Sequence, residues 1–133
     1  MKLTTKSEYA LLALIYIARH QEDGFVKIEQ ICREYDISKK YLEQLFIILK
    51  QNRLIKARRG TAGGYALAKP ADKISFAQII RLMDGALAPT ESVSRYFFSP
   101  TPLQKEKKVL QVFKEIRDYL AQTLENLTLA DLT

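Results

Sequence analysis

Apolar residues recur at helical spacing over most of this chain, and only one short central stretch breaks into a strand-like pattern. Thr5-Lys6-Ser7-Glu8 has the spacing of a capping box, in which the threonine hydroxyl and the glutamate satisfy free amides at a helix start. Tyr9, Leu12 and Tyr16, with Leu11, Ile15 and Ala18, then form a wide apolar face at helical period. After Gly24, Ile28, Ile31, Cys32 and Tyr35 stand at i, i+3, i+4 and i+7, which predicts a second, short helix. Asp36 is among the few non-glycine residue types that tolerate a left-handed turn, Ile37 can plug the gap between two helices, and Ser38 is a strong N-cap. Together these residues predict a helix-turn-helix elbow. The third helix turns Leu42, Leu45, Phe46 and Leu49 inward, so at about 100° per residue Lys40, Glu43, Gln44, Ile47 and Gln51 point outward.

The strand-like stretch follows at once. Leu54 to Arg59 and Tyr65 to Ala68 flank Gly60-Thr61-Ala62-Gly63-Gly64, a pattern that predicts a β-hairpin with a flexible tip. A hairpin after such a helix is a wing. Beyond Pro70, Ser75-Phe76-Ala77-Gln78 offers another capping box ahead of Ile79, Ile80 and Met83, and Gly85 can close that helix. Residues 86–102 contain Pro89, Pro100 and Pro102 among several Ser/Thr and read as a connecting loop. A last long helix, about 104–127, carries Val109, Phe113, Ile116, Leu120, Thr123 and Leu127 at alternating spacings of four and three. That is a seam for another helix, either from a second copy or from the body of the same chain. The expected fold is mainly α: a winged helix-turn-helix domain with a two-stranded wing over 1–85, a connecting and possible sensor loop over 86–102, and a dimerisation helix with its tail over 103–133.

Composition narrows the class. Hydrophobic residues make up 47% and charged residues 27% of the 133 residues, a balance that excludes a disordered or fibrous chain and suits one packed domain with one extra long helix. No apolar run is long enough to span a bilayer, and no secretory signal is visible, so the expectation is a cytoplasmic protein with no membrane partner. The single cysteine, Cys32, cannot form an internal disulfide, in keeping with a reducing compartment.

Charge sharpens the picture when it is divided along the chain. Residues 1–70 hold 13 Lys/Arg against 7 Asp/Glu, while residues 71–133 hold 8 against 8, so the whole net charge of +6 belongs to the first half. Lys39, Lys40, Lys50, Arg53, Lys56, Arg58 and Arg59 face only Glu43 between residues 39 and 59, a density suited to a polyanion. A charge run taken alone reads first as a solvated face; the helix-turn-helix and wing around it turn the reading to double-stranded DNA. Ser38, Lys39, Lys40 and Tyr41 can reach phosphates or base edges from the helix start, and Gln44 carries an amide suited to adenine. Ile47 points outward, where it can meet a thymine methyl or pack against a neighbouring element. Arg58 and Arg59 sit where a guanidinium can enter a narrow minor groove, and Gly60 and Thr61 bring the wing tip close to phosphate. A phosphate-binding loop of the nucleotide type is excluded, because its Lys-Ser/Thr ending and strand-to-helix context are absent.

These blocks together resemble the Rrf2 family of winged helix-turn-helix regulators over nearly the whole chain. The resemblance is carried by Leu3-Thr4-Thr5-Lys6 with Tyr9-Ala10-Leu11, by Ile37-Ser38-Lys39-Lys40-Tyr41-Leu42-Glu43-Gln44-Leu45, and by Arg59-Gly60 with Gly63-Gly64-Tyr65. It implies a homodimeric transcription regulator, usually a repressor, on a pseudo-palindromic operator, with those positions contacting DNA. It also implies dimerisation through the last helix, here Val109, Phe113, Ile116, Leu120 and Leu127. Members that bind an iron-sulfur cluster resemble one another in three closely spaced cysteines before that helix. From Gly85 through Lys108 this chain has neither Cys nor His, so it resembles a member without the cluster, and neither cofactor nor metal is expected. Glu8 matches a region that supplies a carboxylate ligand in some relatives, but here it reads as a capping residue.

The signal therefore stays open, between a small-molecule and a protein effector. Cys32 is either a thiol switch or a core thiol of its helix stripe, and His20 reads as a surface residue at a helix end. Tyr96-Phe97-Phe98 either line a small-molecule pocket or anchor the loop. No nucleophile and base pair, no paired carboxylates and one histidine leave no catalytic constellation, so no enzyme is expected. The competing reading is a basic protein-interaction module, or a regulator controlled mainly by an acidic protein partner.

Overall fold

In the computed structural model, which describes residues 1–133, five α-helices and one β-hairpin follow in the order α1 (Thr5–His20), α2 (Ile28–Tyr35), α3 (Lys39–Gln51), β1 (Ile55–Arg58), β2 (Gly64–Leu67), α4 (Phe76–Asp84) and α5 (Lys107–Asn126). The mainly helical winged architecture is the one the residue pattern predicts. Single 3₁₀ turns at Gln21–Asp23, Ala71–Lys73, Glu91–Val93, Pro102–Lys105 and Leu129–Leu132 join or end these elements. No helix is long and apolar enough to cross a membrane.

The first helix differs from its expected form in two ways. Its N-cap is Thr4, one residue earlier than the expected Thr5, and the Thr4 hydroxyl accepts from the Ser7 amide at 3.4 Å. The Thr4 amide in turn donates to the Asp84 carboxylate at 3.1 Å, and the Thr4 hydroxyl donates to the same group, so the start of α1 is tied to the end of α4. The face that α1 buries is Ser7, Ala10, Leu11, Ala13, Leu14 and Ile17, while Tyr9, Leu12, Ile15, Tyr16 and Ala18 are only half-buried. Ala10 and Ala13 have no accessible surface, and such small side chains let the flanking helices close on α1.

The elbow forms as read. Asp36 takes φ 53° and ψ 50°, Ile37 is buried, and the Ser38 hydroxyl accepts from the Tyr41 amide at 3.2 Å to start α3. Ser75 caps α4 in the same manner, accepting from the Gln78 amide at 3.1 Å, and Gly85 closes it at φ 90°. Arg53 follows α3 with φ 60°, a left-handed conformation that costs a non-glycine residue about 1 kcal/mol.

The end of the chain returns to the body. α5 stops at Asn126, so Leu127 lies beyond the helix on which the seam placed it, and its carbonyl accepts from the Phe76 amide at 2.8 Å. Leu129 is fully buried in the same core as α1 and α4, its amide bonded to the Ile74 carbonyl at 3.1 Å, while Arg19 Nε donates to the Leu132 carbonyl at 2.9 Å. This docking, invisible to periodicity, makes the last residues part of the core. It also fixes the root of α5, whose 20 residues extend over roughly 30 Å.

Candidate nucleic-acid interface

Four inward residues of α3, Leu42, Leu45, Phe46 and Leu49, hold that helix on the core and leave its other face free. Lys39, Lys40, Glu43 and Gln44 are exposed along it, as is the Ser38 cap, while Tyr41 is half-buried with its ring edge-on to Tyr9 at 5.5 Å. Ile47 is 57% exposed, so packing against a neighbouring element does not account for it within the protomer. Lys39 Nζ lies 3.3 Å from Glu29 Oε1 of α2, an exposed pair of small energetic weight that still orients the lysine beside the elbow. A backbone hydrogen bond at the start of α2, and then the Lys39 side chain, hold the Glu29 carboxyl below the ordinary value.

The wing is an antiparallel pair in the register Ile55↔Leu67, Lys56↔Ala66, Ala57↔Tyr65 and Arg58↔Gly64, so Gly64 is the first residue of β2 rather than part of the tip. The Gly63 amide bonds to the Gly60 carbonyl at 3.0 Å and closes the tip, with Gly60 at φ 101°. Arg58, Arg59, Gly60 and Thr61 are all exposed. What stiffens the wing is Tyr65. Its ring meets Phe46 of α3 at 4.6 Å, and its amide and carbonyl exchange bonds with Val26 at 2.7 and 2.8 Å. Val26 thereby extends the hairpin by one bridge, and it carries two neighbours to the wing that the sequence pattern did not single out. The Arg58 guanidinium lies 5.7 Å from the Phe25 ring centroid, and Lys27 Nζ approaches the Gly60 carbonyl at 3.4 Å. The one available signal was the run Phe25-Val26-Lys27, two strand-favouring apolar residues and a lysine directly after Gly24.

The face of α5 turned away from the core carries a second, apolar surface. Val109, Val112, Ile116 and Tyr119 are exposed by 41%, 52%, 42% and 72%, while Phe113 and Leu120 of the expected seam are half-buried. The exposed stripe thus runs one position aside from the expected one and adds Val112 and Tyr119. Glu8, Leu11, Leu12, Ile15 and Phe76 line an open, mainly apolar cleft of about 320 Å³ beside α1.

The remaining reactive residues stand apart. Cys32 is half-buried in α2 against the core, and burial, followed by the nearby Glu29 charge, pushes its thiol up. His20 is exposed at the end of α1 with its ring 4.1 Å from that of Tyr16. Tyr96, Phe97 and Phe98 are exposed, yet Tyr96 lies under the Arg81 guanidinium at 4.8 Å and the Phe97 amide donates to Ser94 Oγ at 3.0 Å.

Comparison with known proteins agrees with this arrangement. The model of the Rrf2 family, described as an iron-dependent transcriptional regulator, matches residues 3–133. The HTH-type transcriptional regulator CymR of Bacillus subtilis is 32% identical over 132 residues, spanning 99% of this chain and 89% of CymR. IscR of Erwinia tasmaniensis, also an HTH-type transcriptional regulator, is 33% identical over 134 residues, spanning 99% of this chain and 78% of IscR. The solved structure of CymR, the global cysteine regulator of B. subtilis, superposes with a TM-score of 0.80 at 31% identity, covering 99% of this chain and 95% of CymR. That of T. potens IscR gives 0.72 at 31% identity, with coverages of 99% and 85%. These relatives are regulators and not enzymes, and their likeness extends through the elbow, the wing and the long helix alike. With a matching fold, an exposed basic face on α3 and a family match from Leu3 to Thr133, the chain belongs to the Rrf2 family of DNA-binding, helix-turn-helix transcription regulators.

Proposed function

We propose that this protein is a homodimeric repressor that holds a pseudo-palindromic operator without an iron-sulfur cluster. The observation that carries the reading is the solvent-facing surface of α3 beside a stiff wing. Ser38, Lys39, Lys40, Tyr41 and Gln44 enter the major groove, with Gln44 reading an adenine, while Arg58, Arg59, Gly60 and Thr61 follow the phosphates and the adjacent minor groove. The exposed stripe of α5, Val109, Val112, Ile116 and Tyr119 with Phe113 and Leu120 at its margin, joins two copies so that two reading heads meet two half-sites. Residues 86–102 receive the signal, a small molecule or a protein. Residues 1–85 form the reading head and 103–133 the dimer clamp, its tail docked on the reading head through Leu129.

The cluster is set aside on this chain's own side chains. No group of three His, Cys, Asp or Glu residues is placed to hold a metal ion, and the single Cys32 sits in α2 rather than in the loop before α5. Reconstituted anaerobically with iron and sulfide, the protein is expected to stay colourless; a stoichiometric visible chromophore overturns this part.

Genomic footprinting supplies the operator, and anisotropy titrations on that duplex test the contacts. Gln44→Ala and Arg59→Ala are each expected to weaken binding by roughly 10–100-fold, about 1–3 kcal/mol for a good base or groove contact. The logarithm of affinity is expected to fall with the logarithm of salt by about 0.9 for each phosphate neutralised. Affinity indifferent to sequence and to both substitutions would point instead to an acidic protein partner for the basic surface.

A further inference from the structure

Three arginines line one small, partly open void between the loop after α4 and the middle of α5. Arg81, Arg95 and Arg117 line it, and no carboxylate does. Its floor is Leu87 and Ala121, both buried, and its outer wall is Tyr96 and Phe97. The counter-ions stand outside the wall: Asp118 accepts from Arg117 at 2.8 Å and from Arg95 at 3.0 Å, and Glu125 accepts from Arg81 at 2.8 Å. Two carboxylates thus face three guanidinium groups, and one positive charge is left over.

Structural bonding accounts for the position of Arg117, whose Nε and Nη2 donate to Asp118 and whose Nη1 donates to the Val93 carbonyl at 3.0 Å, but it does not neutralise the third arginine. Arg117 and Arg81 keep only 19% and 21% of their side-chain surface, so each gives up hydration, whereas Asp118 is half exposed and its pairs are screened by water. A low-dielectric wall of one sign focuses potential into the space it encloses. Guanidinium forks can match the two oxygens of a carboxylate, whereas Asp118 and Glu125 each accept here through one oxygen only, Oδ1 and Oε1. The apolar floor and aromatic wall suit an organic body attached to that group.

We propose that this void is the closed form of a binding site for a small organic acid. Its carboxylate is held between Arg81, Arg95 and Arg117, and its apolar part lies under Tyr96 and Phe97. The void of about 10 Å³ has room for a single water, so entry requires the Tyr96–Phe98 segment to swing outward. Those three rings, exposed by 68%, 47% and 56%, are the ones that would gain burial by closing over a ligand. Arg81 also lies one turn before Asp84, whose carboxylate holds the Thr4 cap of α1, so the site shares α4 with an anchor of the reading head. Calling the ligand an effector rests on the regulator reading above; the binding itself does not.

The test uses the full chain without DNA, so that its failure is separate from any failure to bind an operator. Benzoate serves as the probe, with benzamide as its neutral counterpart and inorganic phosphate as a bare anion, all at constant ionic strength. Calorimetric titration is expected to show saturable benzoate binding at one site per chain, with a rise in Tm that benzamide does not reproduce. Arg95→Gln, at an exposed position whose one partner is the half-exposed Asp118, is expected to weaken benzoate at least tenfold with a Tm within a few degrees of wild type. Tyr96→Ala is expected to weaken it severalfold without a loss of cooperative unfolding. An absent or non-saturable response, an equal response to benzamide, or an unchanged affinity in Arg95→Gln overturns the site. Phosphate binding as tight as benzoate overturns its assignment to an organic acid.

Discussion

Replacing Gly63 with alanine is expected to open the wing, lowering Tm by roughly 10 °C and operator affinity by about a hundredfold or more. A Cβ at this position would stand 2.1 Å from the Arg58 carbonyl oxygen and 2.8 Å from the carbonyl carbons of Arg58 and Arg59. All three atoms are backbone, so no rotamer change relieves the clash, and the strand end has to move. Movement there undoes the Arg58↔Gly64 pair first and then loads Tyr65, which carries both the Phe46 contact and the Val26 bridge. A loss of about 3 kcal/mol falls at the severe end for single substitutions, and in a domain of this size it amounts to the stated shift in Tm. The affinity loss follows because Arg58 and Arg59 are displaced together, each worth about 1–3 kcal/mol if it reaches the duplex. Gly60→Ala is the informative control. Gly60 has φ 101°, but no atom lies within 4 Å of the place a Cβ would take, so alanine there adds only backbone strain, about 1–2 kcal/mol, and leaves the strands in place. Thermal unfolding and anisotropy on the same duplex separate the two variants. A Gly63→Ala protein with wild-type stability and affinity would mean that the tip relaxes without opening and that the wing's rigidity plays no part in binding.

Much of the winged helix-turn-helix was legible because its determinants are local. Asp36, Ile37 and Ser38 act within a few residues, through a left-handed turn, a buried plug and a cap, and the glycine-rich tip between two short apolar runs permits few structures besides a hairpin. The misreadings share a different cause. On α1 the large apolar residues drew attention to Tyr9, Leu12 and Tyr16, but the buried face is built on Ala10 and Ala13, whose smallness matters only once other helices lie against them. Thr4 rather than Thr5 caps that helix because Asp84, eighty residues away, holds Thr4 in place. Leu127 continues a heptad-like spacing, yet the helix has ended, since the Leu127 carbonyl is bonded to Phe76 and Leu129 fills the core. Each of these depends on a partner remote in the chain, and periodicity along one element carries no information about that partner. The same holds for Phe25 and Lys27, which join the wing only because Val26 bridges to Tyr65.

Ile116→Asp is expected to break the proposed dimer into a folded monomer and to weaken binding to the full operator by about a thousandfold. In the protomer Ile116 is 42% exposed, and Val109, Val112, Ile116 and Tyr119 repeat at three, four and three residues to make one stripe along α5. The same helix is held to its own core from the other side, through Ala121 and Leu124, and Ile116 is outside that core, so a charge there disturbs the protomer's packing little. In a two-fold dimer one substitution acts twice, placing two carboxylates in the seam where each must be desolvated and, near the axis, repelled by its twin. Loss of the dimer removes the link between half-sites, and such a link contributes about 10²–10⁴ in affinity through effective concentration alone. The signature is therefore a split. Affinity for an isolated half-site is expected to stay at the wild-type value, affinity for the full operator to collapse, and Tm at a concentration where the wild type is monomeric to change by less than a few degrees. Arg59→Ala should do the opposite, weakening half-site and full operator alike while leaving the mass unchanged. Sedimentation velocity at micromolar concentration, paired with gel shifts on both duplexes, reads all of these outcomes. If Ile116→Asp still sediments as a dimer, the seam is not on α5, and the apolar cleft beside α1, lined by Leu11, Leu12, Ile15 and Phe76, becomes the surface to which the second copy must be assigned.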